Sequence, residues 1–261
     1  MASRQQIDDL KNLFGELFAK LMAFALEDEL FEDLGASLEV FYNLEEGEEY
    51  EFNPSEEFLF LTWFLLDDTS PSGESLMDVF LARYADELTL QEKQVCNALK
   101  ETHLTLLQVL AVKPGESLTL RDVFLREEFE VLEAVGSENA TPGTLLFTRV
   151  LRIGDLRFLV GAGIFLDGLV LEPLSQFITE QYRQECEEGD KISFKQFLKQ
   201  NGELINWWIR AFEKGEILNG SDDDEGPDDG GTEPDEGGPD PAGPRRPSRE
   251  PNEPDDAGGT S

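Results

Sequence analysis

The period of the hydrophobic pattern changes at His103, and that change constrains the fold more than any other feature of the chain. From His103 to Leu166 the sequence is dense in Val, Leu, Phe and Thr. Turn chemistry cuts it at short intervals: Pro114-Gly115, Gly136-Ser137, Thr141-Pro142-Gly143 and Gly154-Asp155. The runs left between these breaks, at 104–112, 117–124, 128–135, 144–153 and 156–166, read as five strands. Their connections are too short for crossover helices, so the strands must pair antiparallel. Five strands of this length close into a small barrel or a strongly bent sheet. Gly154-Asp155 fits a two-residue hairpin turn, in which glycine supplies the positive φ.

On either side of this block the period is helical. Ile7, Leu10, Phe14, Leu17, Phe18, Leu21 and Leu26 recur at spacings of three to five, which predicts one amphipathic helix with Gly35 as its stop. An acidic, irregular stretch from Glu45 to Glu51 follows. Asn53-Pro54-Ser55-Glu56 is a start signal, with an Asn cap and a Pro at the first helical position. Phe58 to Leu66 is apolar on nearly every side, so that helix belongs at the centre of a core. Further helices are expected from about Ser75 through Tyr84 and, behind the capping box Thr89-Leu-Gln-Glu92, at about 90–101. Beyond the strands, 174–187 and a final helix opened by Ser193 and Gln196 and bent at Gly202 complete the pattern.

The predicted class is therefore α+β: a helical region at 1–102, a small five-stranded antiparallel β-barrel or bent sheet at 103–168, C-terminal helices at 169–218, and a tail at 219–261. The tail holds 14 acids, 3 Arg, 8 Pro and 9 Gly, and Ala242 and Ala257 are its hydrophobic residues. With so little apolar surface to offset ordering entropy, it is expected to be disordered. Residues 1–218 keep 42 acids and 18 Lys+Arg, a charge of −24 out of −35 for the whole chain.

So negative a body repels phosphate backbones and anionic headgroups, which argues against direct nucleic-acid binding and membrane docking. The longest apolar run, Phe58 to Leu66, is far short of the roughly 20 residues that a spanning helix needs. The N-terminal segment lacks the pattern of a secretory signal. Cys96 and Cys186 are read as free thiols with no metal-ligand spacing. A cytoplasmic protein is expected.

No residue stands out as catalytic, cofactor-binding or metal-binding. His103 is the single histidine and has no nucleophile motif around it, so a structural or surface role is expected. Gly161-Ala-Gly163 lies inside an apolar run and reads as a bend or a close backbone approach, not as a dinucleotide motif. Asp67-Asp68, Glu127-Glu128 and Glu185/Glu187/Glu188/Asp190 read as solvated faces. Arg121, Arg149, Arg152 and Arg157 cluster in the strands of an otherwise acidic chain. They form either an anion-binding patch or outward residues paired with Asp122, Glu128 or Glu130, and strand alternation favours pairing. Trp208 fits a buried stripe, which leaves Trp207 to contact the barrel or mark a partner site.

The order of these signals has a parallel. Trp63-Phe64 with acids just after, Ser75-Leu-Met-Asp-Val-Phe-Leu-Ala-Arg-Tyr84, Leu88-Thr-Leu-Gln-Glu92, Lys113-Pro-Gly115 and Leu118-Thr-Leu-Arg-Asp122 together resemble uncharacterised prokaryotic proteins, many of which end in a SEC-C-type zinc motif. The resemblance covers about 55–165. The zinc motif itself is absent, so no functional residue is carried over and no cofactor is implied. Three functions remain. The leading one is a non-enzymatic protein-interaction module with an unidentified protein partner. The others are an acidic mimic that occupies the basic site of a nucleic-acid-binding protein, and an enzyme with a site between helical region and barrel that uses Arg149 or Arg152.

Overall fold

The computed structural model describes residues 4–217, apart from 27, 46–47, 49, 51–52, 71–72, 162 and 190, with the backbone alone at 4, 28–33 and 55. The expected tail at 219–261 and much of the acidic stretch 45–51 lie outside the described residues.

The N-terminal segment is two helices, α1 (Arg4–Ala25) and α2 (Asp28–Tyr42), not one. Gly35 lies inside α2 and stops nothing, because an interior glycine costs only about 1 kcal/mol, less than the burial of Phe41 and Tyr42 supplies at the end of that helix. The carbonyls of Val40 and Phe41 in its last turn accept from Trp207 Nε1 at 2.6 Å and Asn206 Nδ2 at 3.1 Å. Asn206 thus satisfies an acceptor that the helix itself leaves open, and Trp207 adds a second donor to the Val40 carbonyl, which also accepts from the Asn43 N–H. Trp207, only 1% exposed, is therefore a buried clamp and marks no partner site.

Helix α3 (Pro54–Leu66) starts at the Asn-Pro signal and buries Leu59, Phe60 and the four residues Trp63 to Leu66, as its all-round apolarity requires. Helices α4 (Leu76–Tyr84) and α5 (Leu90–Lys100) both open with full capping boxes, Ser75/Asp78 and Thr89/Glu92. Lys20 of α1 pairs with Glu92, and this ion pair is the first of the contacts that hold the Glu92 carboxyl down at about 2.

Strands β1 (Leu104–Lys113), β2 (Ser117–Asp122), β3 (Glu128–Leu132), β4 (Leu145–Ile153) and β5 (Leu156–Leu159) form an antiparallel sheet in the order β3-β2-β1-β4-β5, and β6 (Ile164–Leu166) also pairs with β4. The sheet curls until β3 and β5 face each other in a nearly closed barrel, with the Arg157 guanidinium 5.1 Å above the Phe129 ring across the seam. The expected fifth strand at 156–166 is two strands along the same edge of β4. Gly161, at φ +71, carries the detour between them, and a Cβ there would stand 2.0 Å from the Phe58 ring. A Cβ on Gly163 would meet the Phe147 carbonyl at 2.7 Å. Both glycines thus serve close approach. The expected third strand ends early, because Glu133 caps a short helix, α6 (Ala134–Asn139), where Gly136-Ser137 had suggested a turn.

The C-terminal part is α7 (Leu171–Glu188), α8 (Phe194–Gln200) and α9 (Glu203–Glu213). The final helix is broken at Asn201-Gly202 and not merely bent. A Cβ on Gly202 would lie 3.1 Å from that of Leu104, so the break seats the chain against β1.

Strand alternation divides the apolar residues into two cores. Leu107, Val109, Leu118, Leu120, Val131 and Leu146 fill the barrel. Leu104, Leu106, Leu145, Phe147, Leu151 and Phe158 face outward and join the helices in one continuous cluster.

Candidate functional site

At one end of the barrel the inward-facing series turns polar. Thr105 follows the phase of Leu107, Asp122 that of Leu120, Arg152 that of Val150, and Arg157 that of Leu159. Glu101, Thr102 and His103 at the end of α5 and Lys195 of α8 complete a cavity of about 420 Å³ over this mouth, with Phe129, Leu125, Val150 and Ala98 as its apolar lining.

Arg152 and Arg157 are direct partners in the β4–β5 register, so two guanidiniums enter the mouth from opposite positions. The local sequence dictates this. The turn at Gly154, with φ +62, makes a tight hairpin, and residues equally distant from it must pair. Arg152 Nε donates to the Gly154 carbonyl at 3.2 Å, and Arg157 lies over Phe129. Neither arginine has a carboxylate within ion-pair distance among the described residues. A like-charge cross-strand pair destabilises a sheet by a few tenths to about 1 kcal/mol, and an oxyanion accepting from both forks reverses that sign.

Below the arginines lies His103. Its side chain is 11% exposed, and neither ring nitrogen has a hydrogen-bond partner among the described residues. Nε2 stands 4.0 Å from Asp122 Oδ2, beyond hydrogen-bond length. Burial first, and then the positive charge of Arg149, push the imidazole down to about 4, so it is neutral at pH 7. Burial also raises the Asp122 carboxyl, although it accepts from Thr105 Oγ1 at 3.0 Å and from the backbone N–H groups of Phe124 and Leu125 at 2.9 and 2.8 Å. Both groups shift toward their uncharged forms, so desolvation outweighs their attraction and the two do not act as an ion pair.

The four arginines separate. Arg121 pairs outward with Glu128, as alternation suggested, with Nε to Oε1 at 2.9 Å. Arg149 does not. Its side chain is fully buried on the helix-facing side of β4, where it grips both oxygens of Asp67 and donates to Thr102 Oγ1 at 2.8 Å. Lys199 of α8 adds a second cation to Asp67, at 2.5 Å. Asp67 is thus a buried counter-ion and not a solvated carboxylate, and Arg149 belongs to the core. Arg152 and Arg157 meet neither Asp122, Glu128 nor Glu130; Glu130 pairs instead with Lys113 at 2.6 Å. Sequence reasoning placed His103 near a surface or junction and missed that its ring walls a cavity.

Among the described residues, no three of His, Cys, Asp and Glu converge as metal ligands would, and no helix is long and apolar enough to cross a membrane. Neither the curated proteins nor the solved structures contain a match to the chain. The sequence of residues 1–200, which includes every residue that lines the mouth, matches a family of unknown function (DUF7986), and the chain belongs to that family.

Proposed function

We propose that this chain is a non-enzymatic recognition module whose barrel mouth binds an oxyanion-bearing ligand. The observation that carries the proposal is the facing pair Arg152 and Arg157, which share a cavity and lack carboxylate partners among the described residues. The charge of the body does not bar an anion, because at physiological ionic strength its field decays over about 8 Å while the two guanidiniums act at contact. A binding role suits His103 better than catalysis, since an imidazole held near 4 is a weak base at neutral pH. The cytoplasmic setting belongs to the same proposal and is supported by the two unpaired cysteines. Kinship with the SEC-C-ending proteins is a narrower proposal that rests on the order of signals at 55–165 alone.

The test is a ¹H–¹⁵N NMR titration with inorganic phosphate at constant ionic strength. Saturable shifts centred on residues 122–127 and 152–157, abolished in Arg152→Gln/Arg157→Gln, are expected. Shifts spread over the surface, or unchanged in the variant, would refute the reading.

A second reading, docking of the acidic exterior on a basic protein partner, is favoured by the charge of −24 on residues 1–218. It requires affinity for such a partner to fall steeply with salt and to survive the same double substitution.

A further inference from the structure

Resting on the oxyanion reading of the mouth, we infer the class of ligand: a small organic oxyanion whose head lies between Arg152 and Arg157, whose body lies on Phe129 and Val150, and whose far end carries a polar group hydrogen-bonded to His103. Three independent features converge on this shape. The cavity, at about 420 Å³, has room for much more than a bare phosphate or carboxylate. Its charge is graded: Arg152 is exposed at the rim, whereas the nitrogens of His103 are inaccessible to bulk water. Between the two ends Leu125, Phe129 and Val150 supply apolar wall beside the carboxylates of Glu101, Glu127 and Asp122, and Arg157 covers one face of Phe129.

His103 is the informative element. Neutral imidazole offers one donor and one acceptor, and burying either without a partner carries its full desolvation penalty. Asp122, the nearest carboxylate, already accepts three hydrogen bonds and stands out of reach at 4.0 Å. Once the imidazole turns a nitrogen into the cavity, a hydroxyl or amide at the inner end of a ligand satisfies it as either donor or acceptor, whereas a charged group there would be desolvated beside Arg149 and Asp67. A ligand charged at one end and neutral-polar at the other is what this gradient selects.

Isothermal titration of the full chain tests the inference with five probes at constant ionic strength: inorganic phosphate, phenyl phosphate, 4-hydroxyphenyl phosphate, benzoate and 4-hydroxybenzoate. With either head group, the aromatic body should tighten binding roughly tenfold or more over inorganic phosphate through apolar burial. The 4-hydroxyl should add a further factor of about 2–10, the range for one net hydrogen bond. Whichever head binds more tightly identifies the ligand as phosphate ester or carboxylic acid. In His103→Phe the hydroxyl increment should vanish while the phenyl probes keep their affinity. The comparison among probes on the unaltered protein stands even if that variant does not fold. If phosphate binds through the arginines but the aromatic and hydroxylated probes gain nothing, this inference fails and the oxyanion reading survives. If no probe binds in an arginine-dependent way, both fail.

Discussion

Asp67 should be among the costliest polar residues in the protein to neutralise. Its carboxylate and the Arg149 side chain are both 0% exposed, and Lys199 leans on the same carboxylate from α8. In Asp67→Asn the shape is kept but the negative charge that touches both Arg149 and Lys199 is lost, and the new amide NH₂ points a donor at donors. Thr102 Oγ1 remains as an acceptor for one Arg149 nitrogen, at 2.8 Å. Lys199 keeps the Leu66 carbonyl at 3.0 Å and, being partly exposed, can turn toward water. Arg149 has no such escape. Breaking a buried pair from one side costs about 3–5 kcal/mol, a large share of a typical total stability of about 5–15 kcal/mol. At about 2–4 °C per kcal/mol for a chain of this size, the melting temperature should fall by roughly 6–20 °C. Urea unfolding followed by far-ultraviolet circular dichroism gives the free-energy loss directly, provided the slope against urea is unchanged. The double variant Asp67→Asn/Arg149→Met removes the stranded guanidinium and should regain most of the loss, since an apolar replacement of a buried pair is often neutral. A single-variant cost below about 1 kcal/mol, or a double variant no better than the single, would refute the description of a desolvated, mutually dependent cluster.

Two other substitutions or conditions read separate parts of the fold. Gly161→Ala combines a positive φ with a Cβ 2.0 Å from the Phe58 ring, so urea unfolding should show a loss of about 2–4 kcal/mol. Phe58→Ala in the same chain should relieve the steric part, and a loss that ignores Phe58 would contradict the geometry. Lowering the pH should weaken the protein through His103. Its folded pKa of about 4 lies below the ordinary 6.5, so the unfolded chain binds more protons in that window, and the contribution is full above about 6.5 and lost as pH falls toward 4. The loss amounts to about 3 kcal/mol at most, offset by Asp122, whose raised pKa makes the folded state gain protons more readily in acid. In His103→Gln the decline over this window should flatten, and an unchanged pH profile would show that the ring is not desolvated.

What could be read in the sequence was local. The Thr89/Glu92 box, the Asn53-Pro54 start and the Gly154 hairpin each depend on neighbours within four positions, and each is present as expected. Features that depend on distant partners were not legible. Arg149 finds its counter-ion 82 positions away in Asp67, and Trp207 finds its acceptor 167 positions away in Val40. Nothing near either residue announces its burial. Gly35 misled for a related reason, because local propensity was outweighed by packing against elements far along the chain, whereas the end of the third strand was a local signal passed over, the Glu133 cap on Gly136 N–H. The mouth falls between these cases. Arg152 and Arg157 are equidistant from the hairpin turn, so their pairing was implied by the sequence once the turn was accepted. Which face of the sheet they shared, and that His103 lay beneath them, required the register of β1, β2 and β4 and the close of α5.

The account rests most heavily on the two arginines as a shared oxyanion clamp. The direct measurement is the stability of the folded state in inorganic phosphate against chloride at equal ionic strength, for the unaltered protein and for Arg152→Gln/Arg157→Gln in parallel. A ligand that binds only the folded state adds about 1.4 kcal/mol at ten times its dissociation constant. The unaltered protein should show a gain of that size, rising with the logarithm of phosphate concentration above the dissociation constant, that the double variant lacks. An equal gain in both would be the general salting effect of phosphate and would contradict the clamp.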